Sequence, residues 1–149
     1  MSDILGLFGL AVALSVTVAL ILRRTELAAV LLIAFIIRAG AALFHFYVAP
    51  LPDGTADAIA IERYAWEWAQ GGLSSALGHY PGIDSYFYSW LMSLLYSVTD
   101  RSLLLLQSAS VLVGVLGVFA TWRLAFELWD AQSARKAAWV MALFPMLVQ

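Results

Sequence analysis

Three apolar runs, at positions 4–22, 27–49 and 102–122, come close to the roughly 20 residues that a helix needs to cross about 30 Å of hydrocarbon. Such runs leave few choices of fold. Inside lipid every backbone N–H and C=O must find a partner within the protein, and a helix supplies all of them from its own segment. A composition of 63% hydrophobic and 12% charged residues, with a mean hydropathy of +0.88, lies outside the range of soluble domains. The expected fold is all-α, with multi-pass transmembrane helices. The first run has no basic region before it and ends in Arg23 and Arg24, so it reads as a retained helix and not a cleaved signal. A fourth run begins at Ala137 and would rise only about 20 Å by Gln149, so residues 1–149 are expected to be one membrane domain of a partial chain.

The formal net charge of −2 and the lack of a basic cluster speak against nucleic acid as a partner. With no cysteine in the chain, a disulfide framework and a thiolate metal site are both excluded.

Orientation follows from the basic residues. Arg23 and Arg24 lie between the first two runs, and positive charge in short connections favours the cytoplasm, so the amino terminus and residues 50–84 are expected outside. Residues 85–98 are apolar but short and crowded with Tyr86, Phe87, Tyr88, Trp90 and Tyr96, a composition suited to the membrane interface. If that segment lies on the surface, five basic residues fall inside against two outside, Arg63 and Arg101; if it crosses, the split is three against four. The first arrangement is the one expected, with an interfacial helix at 85–98.

Residues 50–84 form a polar, aromatic and acidic stretch, far longer than a hairpin between spans requires, and so a candidate functional element. Pro50, Pro52 and Gly54 predict a turn, Thr55 a helix cap, and Gly71 with Gly72 a stop, giving a short helix over 56–70. At 100° per residue Asp57, Ile61, Tyr64 and Trp68 share one face, with Ile59, Arg63, Trp66 and Gln70 opposite.

From spacing alone, Asp57 complements the positive end of its helix, and Arg63 with Glu67 forms an ordinary surface pair. Arg38 is different. An ionisable group inside a span is a functional candidate by default, although it also suits snorkelling or pairing with an acid such as Asp57. His45 reads as a headgroup-level residue, Gly114 and Gly117 as points of close helix packing, and Trp122, Trp129 and Trp139 as an aromatic belt.

The order of several motifs carries a resemblance. The run from Asp57 through Glu62, Arg63 and Trp68 to Gly71 and Gly72 resembles the first external loop of GT-C fold glycosyltransferases. These include the protein O-mannosyltransferases that use polyprenyl-phosphate sugars. His79-Tyr80-Pro81-Gly82 followed by Tyr86-Phe87-Tyr88-Ser89-Trp90-Leu91 is similar to that superfamily's proline-containing approach to a juxtamembrane helix. The residues from Leu105 to Gly114, Arg123 to Ala125, Ala137 to Trp139, and Phe144 with Pro145 resemble its next span, cytoplasmic turn and return helix. The similarity runs from about Ala34 onward. Departures are Ile61 where many relatives have tyrosine, Gln107 where many have arginine, and His79 alone near the proline motif.

The resemblance implies an amino-terminal portion of a membrane enzyme that moves a sugar from a polyprenyl-phosphate carrier to an acceptor glycan or protein on the extracytoplasmic side. It implies a plasma (inner) membrane location and a role in cell-surface glycan or glycoprotein synthesis. Asp57 is then the general base, with Arg38, Glu62, Arg63 and His79 the candidates for substrate binding. No metal site is expected as a fixture, although a divalent cation helped by Asp57 or Glu62 is compatible with this chemistry. Two other classes stand beside the enzyme. A small non-catalytic membrane subunit would use the acidic loop to dock a partner, and a transporter half is disfavoured because no glycine or proline break interrupts the three complete runs.

Overall fold

The computed structural model describes residues 2–49 and 56–144, and every element among them is helical. Helix α1 spans Ser2–Arg23, a single 3₁₀ turn covers Thr25–Leu27, and α2 spans Ala28–Tyr47. Then come α3 (Ala56–Ala69), α4 (Gly72–Gly78), α5 (Phe87–Tyr96), α6 (Leu103–Leu128) and α7 (Ala131–Leu143). Among the described residues three segments are long and apolar enough to cross a bilayer: Ile4–Arg23, Thr25–Tyr47 and Leu103–Leu128. The protein is therefore membrane-spanning by length and composition.

Both helices that frame the third crossing differ from the apolar runs. Helix α6 continues past Trp122 to Leu128, since its last turns still bury Ala125. Helix α7 begins six residues ahead of Ala137, because Asp130 caps it: the amide of Ser133 donates to Asp130 Oδ1 at 2.8 Å, and its hydroxyl to Oδ2 at 3.1 Å. Hydropathy marks where lipid begins; a cap marks where the helix does.

Helices α1, α2, α6 and α7 make the bundle, which packs through small residues. Gly6 lies against Leu104 and Gly9 against Ser108, so a β-carbon at either glycine would collide with α6. Gly117 admits Met141 of α7 in the same way, its would-be β-carbon lying 3.2 Å from Met141 Cε. One core cluster joins Leu27, Val30, Leu31 and Ala34 to Val115, Val118 and Trp122 and to Ala134, Ala138 and Ala142. A second joins Leu10 and Ala13 to Ala39, Ala42 and Val111. Close approach of backbones through such residues is the usual basis of helix association where lipid and protein are equally apolar.

The pairing of Gly6 and Gly9 with the start of α6 makes α1 and α6 parallel. Since α2 returns antiparallel to α1, α2 ends where α6 begins. The chain between them leaves and rejoins the bundle at one end. Helix α5, with 10 residues, rises only about 15 Å and is too short to cross.

At the opposite end Trp122 is buried, not part of a lipid-facing belt: it sits in the first core cluster with the Arg24 guanidinium 5.6 Å from its ring centroid. Trp129 is exposed, and Trp139 packs partly against the same cluster. His45 is half-buried near the end of α2.

Candidate functional site

Helices α3, α4 and α5 form a compact unit on the end of the bundle where α2 stops and α6 starts. Helix α3 ends at Ala69, ahead of the glycine pair; Gly72 takes φ 77°, a backbone conformation open to glycine, and lets α4 begin at once in a new direction. The predicted cap Thr55 and the turn at Pro50, Pro52 and Gly54 lie outside the described residues.

The face of α3 that packs is not either of the two aromatic faces but the strip between them. Glu62, Ala65 and Ala69 are buried, with Ile61 and Trp66 beside them, against Met92 and Tyr96 of α5 and Leu106 of α6. Alanine brings the two helices close, and the aromatic rings flank the seam. Trp66 meets Tyr96 edge-on at 6.4 Å, and Tyr64 meets Tyr86 at 5.3 Å. Helix α5 is tied to α6 by side-chain hydroxyls. Tyr96 donates to the Ser102 carbonyl at 2.9 Å, and Tyr88 lies 2.7 Å from Ser110 Oγ and donates to the Leu106 carbonyl at 3.2 Å. Burial raises both phenols above their ordinary range, and for Tyr96 the Glu62 charge adds to it, so both remain neutral donors.

The electrostatic centre is the pair of Glu62 and Arg101. Arg101 Nε donates to Glu62 Oε1 at 2.7 Å and Nη2 to Oε2 at 2.8 Å, a two-pronged contact between residues 39 apart in sequence. The Glu62 side chain is 8% exposed and that of Arg101 53%. Hydrogen bonding to the carboxylate raises the Arg101 pKa further, so the guanidinium stays charged. Its carbon also lies 5.9 Å from the Trp66 ring centroid. Next to it Ser102 caps α6, accepting from the Leu105 amide at 3.2 Å. A cleft of about 420 Å³ opens here, lined by Phe46, Ile59, Glu62, Arg101, Ser102 and Leu103. Its lining combines apolar side chains from three helices with one ion pair.

The candidates named from sequence are not gathered at one point. Asp57 falls in the first turn of α3, two residues before the cleft residue Ile59; its side chain lies outside the described residues. Glu62 lies in the cleft. Arg63 is on the exposed side, 3.5 Å from Glu67 and with its guanidinium over the Tyr64 ring at 5.4 Å. His79 follows α4 at the far end of the unit, stacked on Trp68 at 5.6 Å and hydrogen-bonded through Nδ1 to the Ser75 carbonyl at 2.7 Å. Arg38 is elsewhere, buried in the middle of α2, where Nη1 donates to the carbonyls of Ala34 and Ala142 and Nη2 to that of Met141. It reaches sideways to α7 rather than along α2 to a headgroup.

Arg101 was not among the sequence candidates. No local spacing announces a partner 39 residues away; the one available signal is an arginine directly before the serine cap of an apolar span. Among the described residues no group of three His, Asp or Glu side chains could hold a metal ion. No family model, no curated protein and no solved structure matches this chain.

Proposed function

We propose that the chain is the amino-terminal portion of the membrane domain of a GT-C-like glycosyltransferase. In this reading it transfers a sugar from a polyprenyl-phosphate carrier to an acceptor glycan or protein in cell-surface glycan or glycoprotein synthesis. The bundle lies in the plasma (inner) membrane, with Arg23, Arg24, Arg123, Arg135 and Lys136 cytoplasmic and the α3–α5 unit on the extracytoplasmic surface. One observation supports it above the rest. The cleft lined by Arg101 and Glu62 together with Phe46, Ile59 and Leu103 is amphiphilic, and it adjoins the helix whose first turn carries Asp57.

The chemistry is a single displacement. The Asp57 carboxylate accepts the proton of an acceptor hydroxyl, the hydroxyl oxygen bonds to the anomeric carbon, and the bond from that carbon to the phosphate oxygen breaks. The polyprenyl phosphate leaves with the electron pair. The contacts with Glu62 occupy two of the five N–H groups of Arg101, and the side chain is half exposed, which suits it to meet that phosphate.

The test is transfer of labelled sugar from its polyprenyl-phosphate carrier by the native full-length gene product in lipid nanodiscs. Asp57→Asn is expected to lower turnover at least ~100-fold with membrane insertion unchanged, the scale of a lost general base. Unchanged turnover removes the enzyme reading. The exposed Leu73, Leu77 and Ile83 favour a second one, a non-catalytic subunit whose loop docks a partner, and loss of assembly on Leu77→Glu with no transferase activity in the wild type would select it.

A further inference from the structure

Helix α7 stops in a place where a helix should not stop. At 13 residues it rises about 20 Å from the end of α6, and its last turn lies beside Arg38, which is about 15 Å from either end of α2. That depth is near the centre of the bilayer, where a carbonyl without a donor costs several kcal/mol. Phe144 already has extended geometry, φ −72° and ψ 115°, as expected of a residue ahead of proline. The Phe144 amide donates to the Val140 carbonyl at 3.0 Å, closing the helix. The next bond in register would run from residue 145 to Met141. Residue 145 is proline, and proline has no N–H to give.

Arg38 donates to that carbonyl. Its Nη2 donates to Met141 at 3.1 Å, and its Nη1 to Ala142 at 3.2 Å and to Ala34 of its own helix at 3.3 Å. Room for the guanidinium is built into the third helix. A β-carbon at Gly114 would collide with Arg38 Nε and come within 2.7 Å of Cδ, so a larger residue there would displace the guanidinium. The partial negative charge at a helix carboxyl end also favours a cation, which suits an arginine buried at 2% exposure among apolar neighbours.

We propose that Arg38 is the carboxyl-terminal cap of α7, supplied in trans by α2, and that its guanidinium replaces the amide that Pro145 withholds. The clasp holds three helices in one arrangement at membrane mid-depth, with Gly114 as its socket. It assigns Arg38 to positioning the bundle and leaves substrate contact to other residues.

The test compares Arg38→Met in the wild-type background and in Pro145→Ala, where alanine has the N–H that proline lacks and lifts the restriction that proline places on Phe144. Thermal unfolding of the whole protein in detergent is the readout. Arg38→Met is expected to lower the Tm by about 6 °C in the first background and by less than half of that in the second. Equal losses in both backgrounds, or none in either, would overturn the clasp. Should Arg38→Met fail to fold in both, Arg38→Gln and Gly114→Ala replace it, the first keeping two donors without charge and the second pushing the guanidinium aside. Each must again depend on residue 145, and independence from it rejects the proposal.

Discussion

Among the described residues the bundle and the α3–α5 unit each bury one charged side chain, Arg38 and Glu62, and the described contacts of the two differ in kind. In the bundle Arg38 donates to three main-chain carbonyls, so dipoles meet part of its charge. In the unit Glu62 is met by a full opposite charge whose other side is open to solvent. The packing differs in the same sense. The bundle is assembled by glycine and alanine at short range, whereas the unit is framed by Tyr64, Trp66, Tyr86 and Tyr96, rings with an apolar body and, for tyrosine, a polar tip. Where no water competes, neutral groups at close range suffice to hold helices together; near water, an ion pair and amphipathic rings tolerate a mixed environment.

The contrast is broken most sharply in the bundle. Gly9→Val would drive a branched side chain into Ser108, and neither rigid helix can yield without losing the neighbouring contact of Gly6 with Leu104. A loss of about 3 kcal/mol is expected, the upper range for overpacking, seen as a lower unfolding temperature in detergent. The α3–α5 unit should stay folded, because its own seam of Ala65, Ala69, Met92 and Tyr96 is untouched. Loss of both at once would mean that the two regions are one cooperative body.

The ion pair gives the next effect. Arg101→Ala leaves the Glu62 carboxylate buried without its charged partner, whereas Glu62→Gln keeps a neutral group that can accept from Arg101. Because Arg101 is half exposed, solvent screens part of the loss, and about 2 kcal/mol is expected for Arg101→Ala against roughly half of that for Glu62→Gln. A double replacement, Glu62→Met with Arg101→Met, should recover most of the stability. The check is a double-mutant cycle by chemical denaturation, and an Arg101→Ala variant no weaker than Glu62→Gln would remove the buried-charge explanation.

The same division decides what was legible in the sequence. The spans were readable because hydropathy is a local property, and α3 was readable because Gly71 and Gly72 punctuate it. The packed face of α3 was not, since aromatic residues occur all round the helix and what selects Glu62, Ala65 and Ala69 is the approach of α5 and α6. The partners of the two buried charges were equally hidden. Glu62 meets Arg101 across 39 residues, and Arg38 meets Met141 across 103. Yet Pro145 inside an apolar run marks a carbonyl four residues earlier as short of a donor, and a lone arginine in another span is the matching half of that signal. Trp122 shows the limit of composition: the same residue type serves a lipid belt or a core, and Arg24 above its ring accompanies the second outcome here.

The smallest effect belongs to the exposed start of α7, where neither kind of burial operates. The Ser133 amide, and then its hydroxyl, hold the Asp130 carboxyl below its usual range. A lowered folded-state value means that the stabilisation is present above the unfolded pKa, near 4, and is lost as pH falls through the lowered one. Amide-exchange protection of Ser133 and Ala134 should therefore drop between pH 6 and pH 3, while Ala138 and Ala142, packed in the core, keep theirs. Asp130→Asn retains a capping oxygen without a titrating charge, so the pH dependence should vanish and the protection remain. Asp130→Ala should fray the first turn at both pH values. Equal protection in wild type and Asp130→Ala at pH 6 would mean that α7 is held from its buried face alone, and that its early start, six residues ahead of the apolar run, owes nothing to the cap.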